Sequence, residues 1–173
     1  MKIIIIGSPG AGKSVLTRRI NEFLNYPVLH LDKVYHTGGK SHISREKLIE
    51  KVIQFTNKNE NWIIDGNYIS TLEMRIKLAD TIIVLNISPE ICLQNAKKRS
   101  EENIKSGKNR NDMADGFDET ITDEFREFII NFNKDTMPRI EEILSRYKDK
   151  TIEKINNYEE IEELVLNLKN KLA

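Results

Sequence analysis

Cysteine is nearly absent from this chain, since Cys92 is the only one among its 173 residues. One cysteine cannot form a disulfide within the chain, which excludes a small domain held together by disulfide bonds. We expect Cys92 to serve as a small buried apolar side chain, and a lone thiol suits the reducing cytoplasm.

Net charge and long apolar segments are lacking as well. Lysine plus arginine and aspartate plus glutamate number 27 each, so the formal net charge is zero. Such a balance provides no broad basic surface for duplex binding and disfavours a nucleic-acid partner. The apolar run at 3–6 is shorter than the apolar region of a signal peptide, and no later stretch reaches the length of a membrane span. The sequence therefore predicts a cytoplasmic protein without a membrane segment.

Length and composition indicate one compact domain. With 173 residues, 39% of them hydrophobic, the chain can bury a sizeable core, and we expect residues 1–173 to form a single domain. No internal repeat or low-complexity tract interrupts the chain. The oligomeric state stays open at this point.

Strand-like and helix-like patterns alternate along the chain. Runs rich in β-branched residues predict strands at 2–6, 28–31, 62–64, 81–87 and 151–155. Helical periodicity predicts helices at 13–25, 44–55, 71–78, 89–100, 119–133, 138–147 and 161–168. Apolar periodicity disappears between residues 101 and 118, which predicts a mobile lid segment. The alternation predicts an α/β fold with an open parallel sheet, whose ligands bind beyond the carboxyl ends of the strands.

A glycine-rich segment between the first strand and the first helix has the spacing G-x-x-x-x-G-K-[ST], typical of a loop that binds nucleotide phosphates. Lys13 is placed to reach the β- and γ-phosphates of ATP, and the Ser14 hydroxyl to ligate Mg²⁺. The N-terminus of the following helix adds partial positive charge at the same point. The residues expected to contact the nucleotide are Gly7, Ser8, Pro9, Gly10, Ala11, Gly12, Lys13, Ser14 and Val15.

Two aspartates follow neighbouring predicted strands. Asp65 comes directly after an apolar strand and is the candidate to orient the water shell of Mg²⁺. Asp32 is the candidate to accept a proton from the acceptor or to anchor it. Capping or turn formation is the alternative for each. His30 shares a strand face with Asp32, although a satisfied core histidine is the favoured interpretation, and His36 and His42 are expected to be ordinary loop residues.

Phosphoryl transfer also needs cations near the moving group. The candidates are Arg75, Arg99, Arg110 and Arg139. Arg110 falls in the predicted lid, where closure could bring it onto the phosphates and exclude water. Solvated helix positions are the alternative for Arg99 and Arg139.

These residues resemble those of the DNA topology modulation proteins, kinase-like members of the adenylate kinase and shikimate kinase group. The resemblance covers most of the chain. It depends on the glycine-rich segment, on the blocks Leu29-His30-Leu31-Asp32-Lys33-Val34-Tyr35 and Trp62-Ile63-Ile64-Asp65-Gly66-Asn67-Tyr68, on Arg75 with Ala79-Asp80-Thr81, and on Arg110-Asn111-Asp112-Met113 and Pro138-Arg139.

The resemblance implies a three-layer P-loop fold with a five-stranded parallel sheet of order 2-3-1-4-5, a small lid, and ATP with Mg²⁺ as donor. It implies that Asp65 orients magnesium-bound water and that Arg75 holds the acceptor. Asp32, Tyr68 and also Asp65 are then counted among the acceptor-side residues. Arg99 and Arg110 resemble lid arginines that clamp the donor, and Arg139 joins the nucleotide-binding set.

The leading hypothesis is therefore an ATP-dependent phosphotransferase acting on a small acceptor, with nucleotides and nucleosides as candidates. An ATP-binding regulatory or DNA-topology-associated protein is the alternative, and it would bind ATP without transferring phosphate to a metabolite. A signalling GTPase is disfavoured, because Asn133-Lys134-Asp135 has its acid one place too early for a guanine-reading segment.

Overall fold

The computed structural model describes residues 1–38, 41–106, 111–115 and 120–171. Its strands are β1 (Lys2–Gly7), β2 (Val28–His30), β3 (Trp62–Asp65), β4 (Thr81–Leu85) and β5 (Thr151–Ile155). Its α-helices are α1 (Lys13–Leu24), α2 (Leu31–Tyr35), α3 (Arg45–Lys58), α4 (Ile69–Leu78), α5 (Pro89–Ser106), α6 (Asp123–Asn131), α7 (Met137–Leu144) and α8 (Tyr158–Asn170). A π-helical turn, Phe132–Thr136, joins α6 to α7.

Within the described residues, the five strands form one parallel sheet in the order β2-β3-β1-β4-β5. The predicted order is thus confirmed. β1 lies in the middle and pairs with β3 on one side and β4 on the other. The register places Asp65 opposite Ile5 and Leu85 opposite Gly7, so the ends of the three central strands meet at one edge. This edge carries the candidate site.

Helices cover both faces of the sheet, which gives three layers. The side chains of Ile3 and Ile5 pack into one apolar cluster with residues of α1, α5 and α8. Those of Ile4 and Ile6 pack into a second cluster with residues of α3, α4 and α7. Because successive strand residues face opposite sides, a strand buried on both faces reads as an unbroken apolar run. Cys92 lies fully buried in the first cluster, as predicted.

Several predicted boundaries shift. β2 ends at His30, and Asp32 lies in the first turn of the short helix α2 rather than at a strand end. α5 continues to Ser106 instead of ending near residue 100, because Glu101, Glu102 and Lys105 are good helix formers even without apolar periodicity. Residues 107–110 and 116–118 of the predicted lid lie outside the described part of the chain.

Smaller shifts affect two other elements. β4 ends at Leu85 rather than at residue 87, and α4 begins at Ile69 rather than at residue 71. None of the helices in the described ranges is both long enough and apolar enough to cross a lipid bilayer.

Candidate active site

The loop between β1 and α1 curves over the N-terminus of α1. Gly10 and Gly12 adopt φ values of 81° and 97°, in the left-handed region that favours glycine. A Cβ at Gly10 would collide with the carbonyl oxygen of Cys92, because the first turn of α5 packs against the loop there. Around the Cβ position of Gly12, by contrast, no atom of the described residues other than its chain neighbours lies within 4 Å. The loop is therefore supported by α5 at Gly10 and open at Gly12.

Gly12 is the N-cap of α1, and no side chain in the described part of the chain caps this helix end. The N–H groups of the first helical turn have no partners within the helix, and the helix dipole favours negative charge at this end. An anion in front of Gly12 would meet these donors directly. The loop is thus built to accept a phosphate group.

Lys13 extends over the same loop. Its Nζ donates to the carbonyl oxygens of Gly7 and Ser8, each at 3.0 Å. Burial lowers the pKa of Lys13, while the charges of Asp32 and Asp65 act in the opposite direction. The ammonium therefore lies within electrostatic range of both aspartates.

Asp65, at the end of β3, is almost fully buried, with 4% of its surface exposed. Its Oδ2 accepts a hydrogen bond of 3.0 Å from the Thr17 hydroxyl, and its Oδ1 lies 2.9 Å from Nδ1 of His30. Burial lowers the pKa of His30, but the hydrogen bond and the charge of Asp65 outweigh burial, so the pKa lies above its ordinary value. The expectation of a satisfied core histidine holds in part, because His30 is satisfied by Asp65 but lines the cavity instead of lying in the core.

Asp32 has a different partner. The Tyr68 hydroxyl donates to Asp32 Oδ1 at 2.7 Å, and both side chains line the same cavity as Lys13. Burial and the neighbouring Asp32 raise the pKa of Tyr68, so its hydroxyl stays protonated as the donor. Tyr68 has a φ of 31°, which is uncommon for a residue with a side chain.

Arg75 holds the loop at 66–68 from behind. Its side chain is fully buried, with Nη1 donating to the Gly66 carbonyl at 3.0 Å and Nη2 to the Tyr68 carbonyl at 3.2 Å. Nη2 also donates to the Asn67 carbonyl, and Nε to the Thr71 hydroxyl. Burial lowers the pKa of Arg75 to about 9.

The structure therefore gives Arg75 a different role from the predicted acceptor ligand. It does not line the cavity, and its guanidinium is used on backbone carbonyls of the loop. The Asn67 side chain ties that loop to the phosphate-binding loop, because its Oδ1 accepts from the Gly7 N–H at 2.9 Å.

A cavity of about 1440 Å³ connects these groups. The predicted residues that line it are Pro9, Gly10, Gly12, Lys13, Ser14, Val15, Asp32, Asp65, Tyr68, Arg99 and Arg139. Gly7, Ser8 and Ala11 are buried parts of the loop and do not line it. Arg110 lies outside the described residues.

Sequence reasoning missed the contributions of Thr17 and Asn67 and the pairing of His30 with Asp65. Thr17 follows Ser14 by three positions, which places both on one face of α1. His30 precedes Asp32 by two positions, and Asn67 belongs to the Asp-Gly-Asn-Tyr block. Helical spacing could have indicated Thr17, whereas the pairing of His30 with Asp65 depends on the register between β2 and β3.

The protein oxygen atoms at this site suit a hard cation that phosphate oxygens also coordinate. Among the described residues, no group of three or more histidine, cysteine or acidic side chains could hold a metal ion alone. Mg²⁺ characteristically binds through one or two protein oxygens together with phosphate oxygens and water. Ser14 and Asp65, beside the open loop, fit that requirement.

Comparisons with known proteins agree with this architecture. No family model matches the chain. A protein of Sulfurisphaera tokodaii provisionally named an adenylate kinase is 28% identical over 183 residues, which cover 97% of this chain and 93% of the other.

Two solved structures have a similar fold. The shikimate kinase of Acinetobacter baumannii in complex with shikimate has a TM-score of 0.60 at 14% identity, over 99% of this chain and 95% of the other. The deoxyadenosine kinase of M. mycoides with bound dCMP and dCDP has a TM-score of 0.55 at 17% identity, over 99% and 98%. The chain therefore has the fold of P-loop kinases. None of these three proteins is named a DNA topology modulation protein.

Proposed function

We propose that this protein is an ATP-dependent phosphotransferase that moves the γ-phosphate of ATP to a small acceptor molecule. The proposal depends on one observation. A single cavity is lined by the open glycine loop, by Lys13, and by the carboxylates of Asp32 and Asp65. A phosphate-binding loop alone would fit any nucleotide-binding protein. Two carboxylates beside it, in a cavity with room for a second molecule, favour transfer between two substrates.

The donor side of the site holds the nucleotide. The loop N–H groups and Lys13 bind the phosphates, and Ser14 with Asp65 supports Mg²⁺, which neutralises charge when bound. Thr17 and His30 keep both oxygens of Asp65 occupied, so its carboxylate is fixed before substrate arrives. Arg99 and Arg139 line the cavity and are proposed to stabilise the transferred charge.

The acceptor side lies at α2 and the loop at 66–68, where Asp32 and Tyr68 meet. The segment after α5 reaches this side, because the Lys33 ammonium donates to the Asn111 carbonyl at 3.0 Å. Met113 is buried and also lines the cavity. We propose that the segment at about 101–118, with Arg110, acts as a lid that excludes water during transfer.

We also propose a cytoplasmic location, which would give the protein access to ATP. The resemblance to DNA topology modulation proteins remains a prediction, and the proposal does not depend on it.

Calorimetric titration with ATP and Mg²⁺ tests the donor site. Lys13→Ala should abolish measurable ATP binding, because the loop loses the ammonium that reaches the phosphates, while circular dichroism stays unchanged. Lys51→Ala, at an exposed position of α3, is the matched control and should bind ATP like the unaltered protein. Equal ATP affinity of Lys13→Ala and the control would contradict the proposal.

A further inference from the structure

We infer that the group receiving the phosphate is a hydroxyl and not a phosphate oxygen, so that the product is a phosphate monoester. The inference rests on the proposed function and identifies the chemical class of the acceptor. It depends on how Asp32 is held and on where the cations of the site lie.

Asp32 is oriented with one oxygen occupied and the other available. Oδ1 accepts the Tyr68 hydroxyl at 2.7 Å, and within the part of the chain that the structure describes Oδ2 has no hydrogen-bond partner. The Tyr68 ring is supported by Tyr35, whose centroid lies 4.8 Å away. The free oxygen of Asp32 therefore belongs to a carboxylate that is fixed beside the cavity.

Asp32 also lines the same cavity as Lys13 of the phosphate-binding loop. Its charge raises the pKa of Lys13, in opposition to burial. Since Lys13 would hold the phosphates, an oxygen bound to Asp32 would share this cavity with the group that is transferred. This is the position of an attacking acceptor.

A hydroxyl acceptor matches this environment chemically. Its oxygen forms a bond to Pγ, the bond from Pγ to the β–γ bridging oxygen breaks, and the electron pair leaves with ADP. The hydroxyl proton passes to Asp32 Oδ2. A carboxylate at this point can take the proton that the acceptor oxygen loses.

A phosphate acceptor does not match it. A phosphate monoester near neutral pH carries about −1.5 to −2 charges, needs no base, and requires cations around it. The lysines and arginines that line the cavity among the described residues are Lys13, Arg18, Arg99 and Arg139, and His30 and His36 line it as well. None of the four belongs to α2 or to the loop at 66–68, the two elements that hold Asp32 in place. Lys33, the lysine of α2, donates to the Asn111 carbonyl.

Arg75 has the guanidinium nearest to that loop in sequence, but this group binds backbone carbonyls and not the cavity. Its donors bind the carbonyls of Gly66, Asn67 and Tyr68 below the cavity. A phosphate group beside Asp32 would therefore face a carboxylate without a guanidinium from the same loop to offset it.

Matched pairs of compounds test the inference. The unaltered protein is incubated with ATP, Mg²⁺ and either adenosine or AMP, deoxyadenosine or dAMP, cytidine or CMP, and also with the small-molecule fraction of a bacterial extract. ADP release is measured, and ³¹P NMR distinguishes a monoester product from a phosphoanhydride. We expect monoesters only. A phosphoanhydride made from a monophosphate would overturn the inference and leave the proposed function intact.

The variant Asp32→Asn supplies a second readout. It should lower kcat for the hydroxyl acceptor by about 10²- to 10⁴-fold, with the KM for ATP unchanged. Asp149→Asn, at an exposed turn before β5, is the matched control and should retain full activity. If Asp32→Asn retains kcat or transfers faster to AMP, the inference is wrong. ATP binding without ADP release in any mixture would instead overturn the proposed function, and this inference with it.

Discussion

Asp32 and Asp65 are both acidic residues at the same edge of the sheet, but their partners differ. Asp65 uses both oxygens, one on Thr17 and one on His30, and is nearly buried. Asp32 uses one oxygen on Tyr68, and its other oxygen has no hydrogen-bond partner among the described residues. A carboxylate with both oxygens occupied is suited to hold a metal shell in place, whereas one with a free oxygen can exchange a proton.

The pairing of His30 with Asp65 predicts a pH-dependent contribution to stability. The pKa of His30 is raised in the folded protein, so its stabilising effect is complete below the unfolded value of about 6.5 and disappears as the pH rises through the folded value. We expect His30→Gln to cost about 1 kcal/mol more at about pH 5.5 than at about pH 8.5. Urea unfolding of both proteins at the two pH values measures this difference. A cost that does not change with pH would contradict the pairing.

The hydrogen bond from Tyr68 to Asp32 predicts a catalytic effect with no loss of fold. Tyr68→Phe keeps the ring against Tyr35 and removes only the hydroxyl that orients Asp32. We expect kcat to fall about 10-fold, with the KM for ATP unchanged, since a single hydrogen bond to a charged group is worth about 1.5 kcal/mol.

Tyr147→Phe is the matched control for this experiment. It removes a hydroxyl that donates to Glu73 at 2.8 Å, and neither Tyr147 nor Glu73 lines the cavity. Steady-state kinetics of the two variants should separate the roles of the two tyrosines. Equal kcat values in both variants would show that Tyr68 does not position Asp32.

The role of a single residue can be predicted from the sequence in some cases and not in others. The spacing from Gly7 to Ser14 is local, so its loop could be predicted without knowing the rest of the fold. The role of Arg75 could not be predicted in this way, because a guanidinium near an active-site loop can face either the cavity or the backbone of the loop. Only the packing of α4 beneath residues 66–68 decides between these two orientations.

At the scale of elements, Arg75 joins α4 to the loop that follows β3. Replacing it with methionine removes a buried cation and leaves the carbonyls of Gly66, Asn67 and Tyr68 without their donors. We expect Arg75→Met to lower the free energy of unfolding by about 3 kcal/mol, as measured by urea unfolding. Arg126→Met, at an exposed position of α6 away from the cavity lining, is the control for losing an arginine from the surface.

The same variant distinguishes the two roles considered for Arg75. A role in holding the loop predicts lower stability together with lower kcat, because Tyr68 and Asp32 lose their support. A role as acceptor ligand predicts normal stability and a higher KM for the acceptor alone. The second result would restore the role that the family resemblance implied.

The boundaries of helices and strands can likewise be predicted where a local sequence pattern sets them, and not where packing against distant residues sets them. β1 is an apolar run ended by glycine, and the strand lies where that pattern predicts it. The block at 31–35 has no strong local signal, and it forms α2 because Leu31 and Val34 pack into the second apolar cluster. The consequence is functional, since Asp32 comes from a helical turn and not from the end of a strand.

At the scale of the whole molecule, the parallel sheet gathers groups that are distant in sequence. The carboxyl ends of β1, β2 and β3 bring together the phosphate-binding loop, His30 and Asp65. The alternation of strands and helices predicts such an edge, and the order of the strands followed from the family resemblance. The cavity could not be predicted, because it also requires Thr122, Phe125 and Phe128 near and within α6.

Because the nucleotide would contact several of these elements at once, its binding should stabilise the entire fold. A ligand at 100 times its Kd adds about 2.7 kcal/mol, which corresponds to a rise in Tm of about 5–10 °C for a chain of this length. Scanning calorimetry with Mg²⁺ and a non-hydrolysable ATP analogue should show this rise, and omission of Mg²⁺ should reduce it, because Ser14 and Asp65 then have no cation to hold. Lys13→Ala should show no rise under either condition, whereas Lys51→Ala should behave like the unaltered protein. An equal rise in Lys13→Ala would mean that the nucleotide binds elsewhere on the molecule.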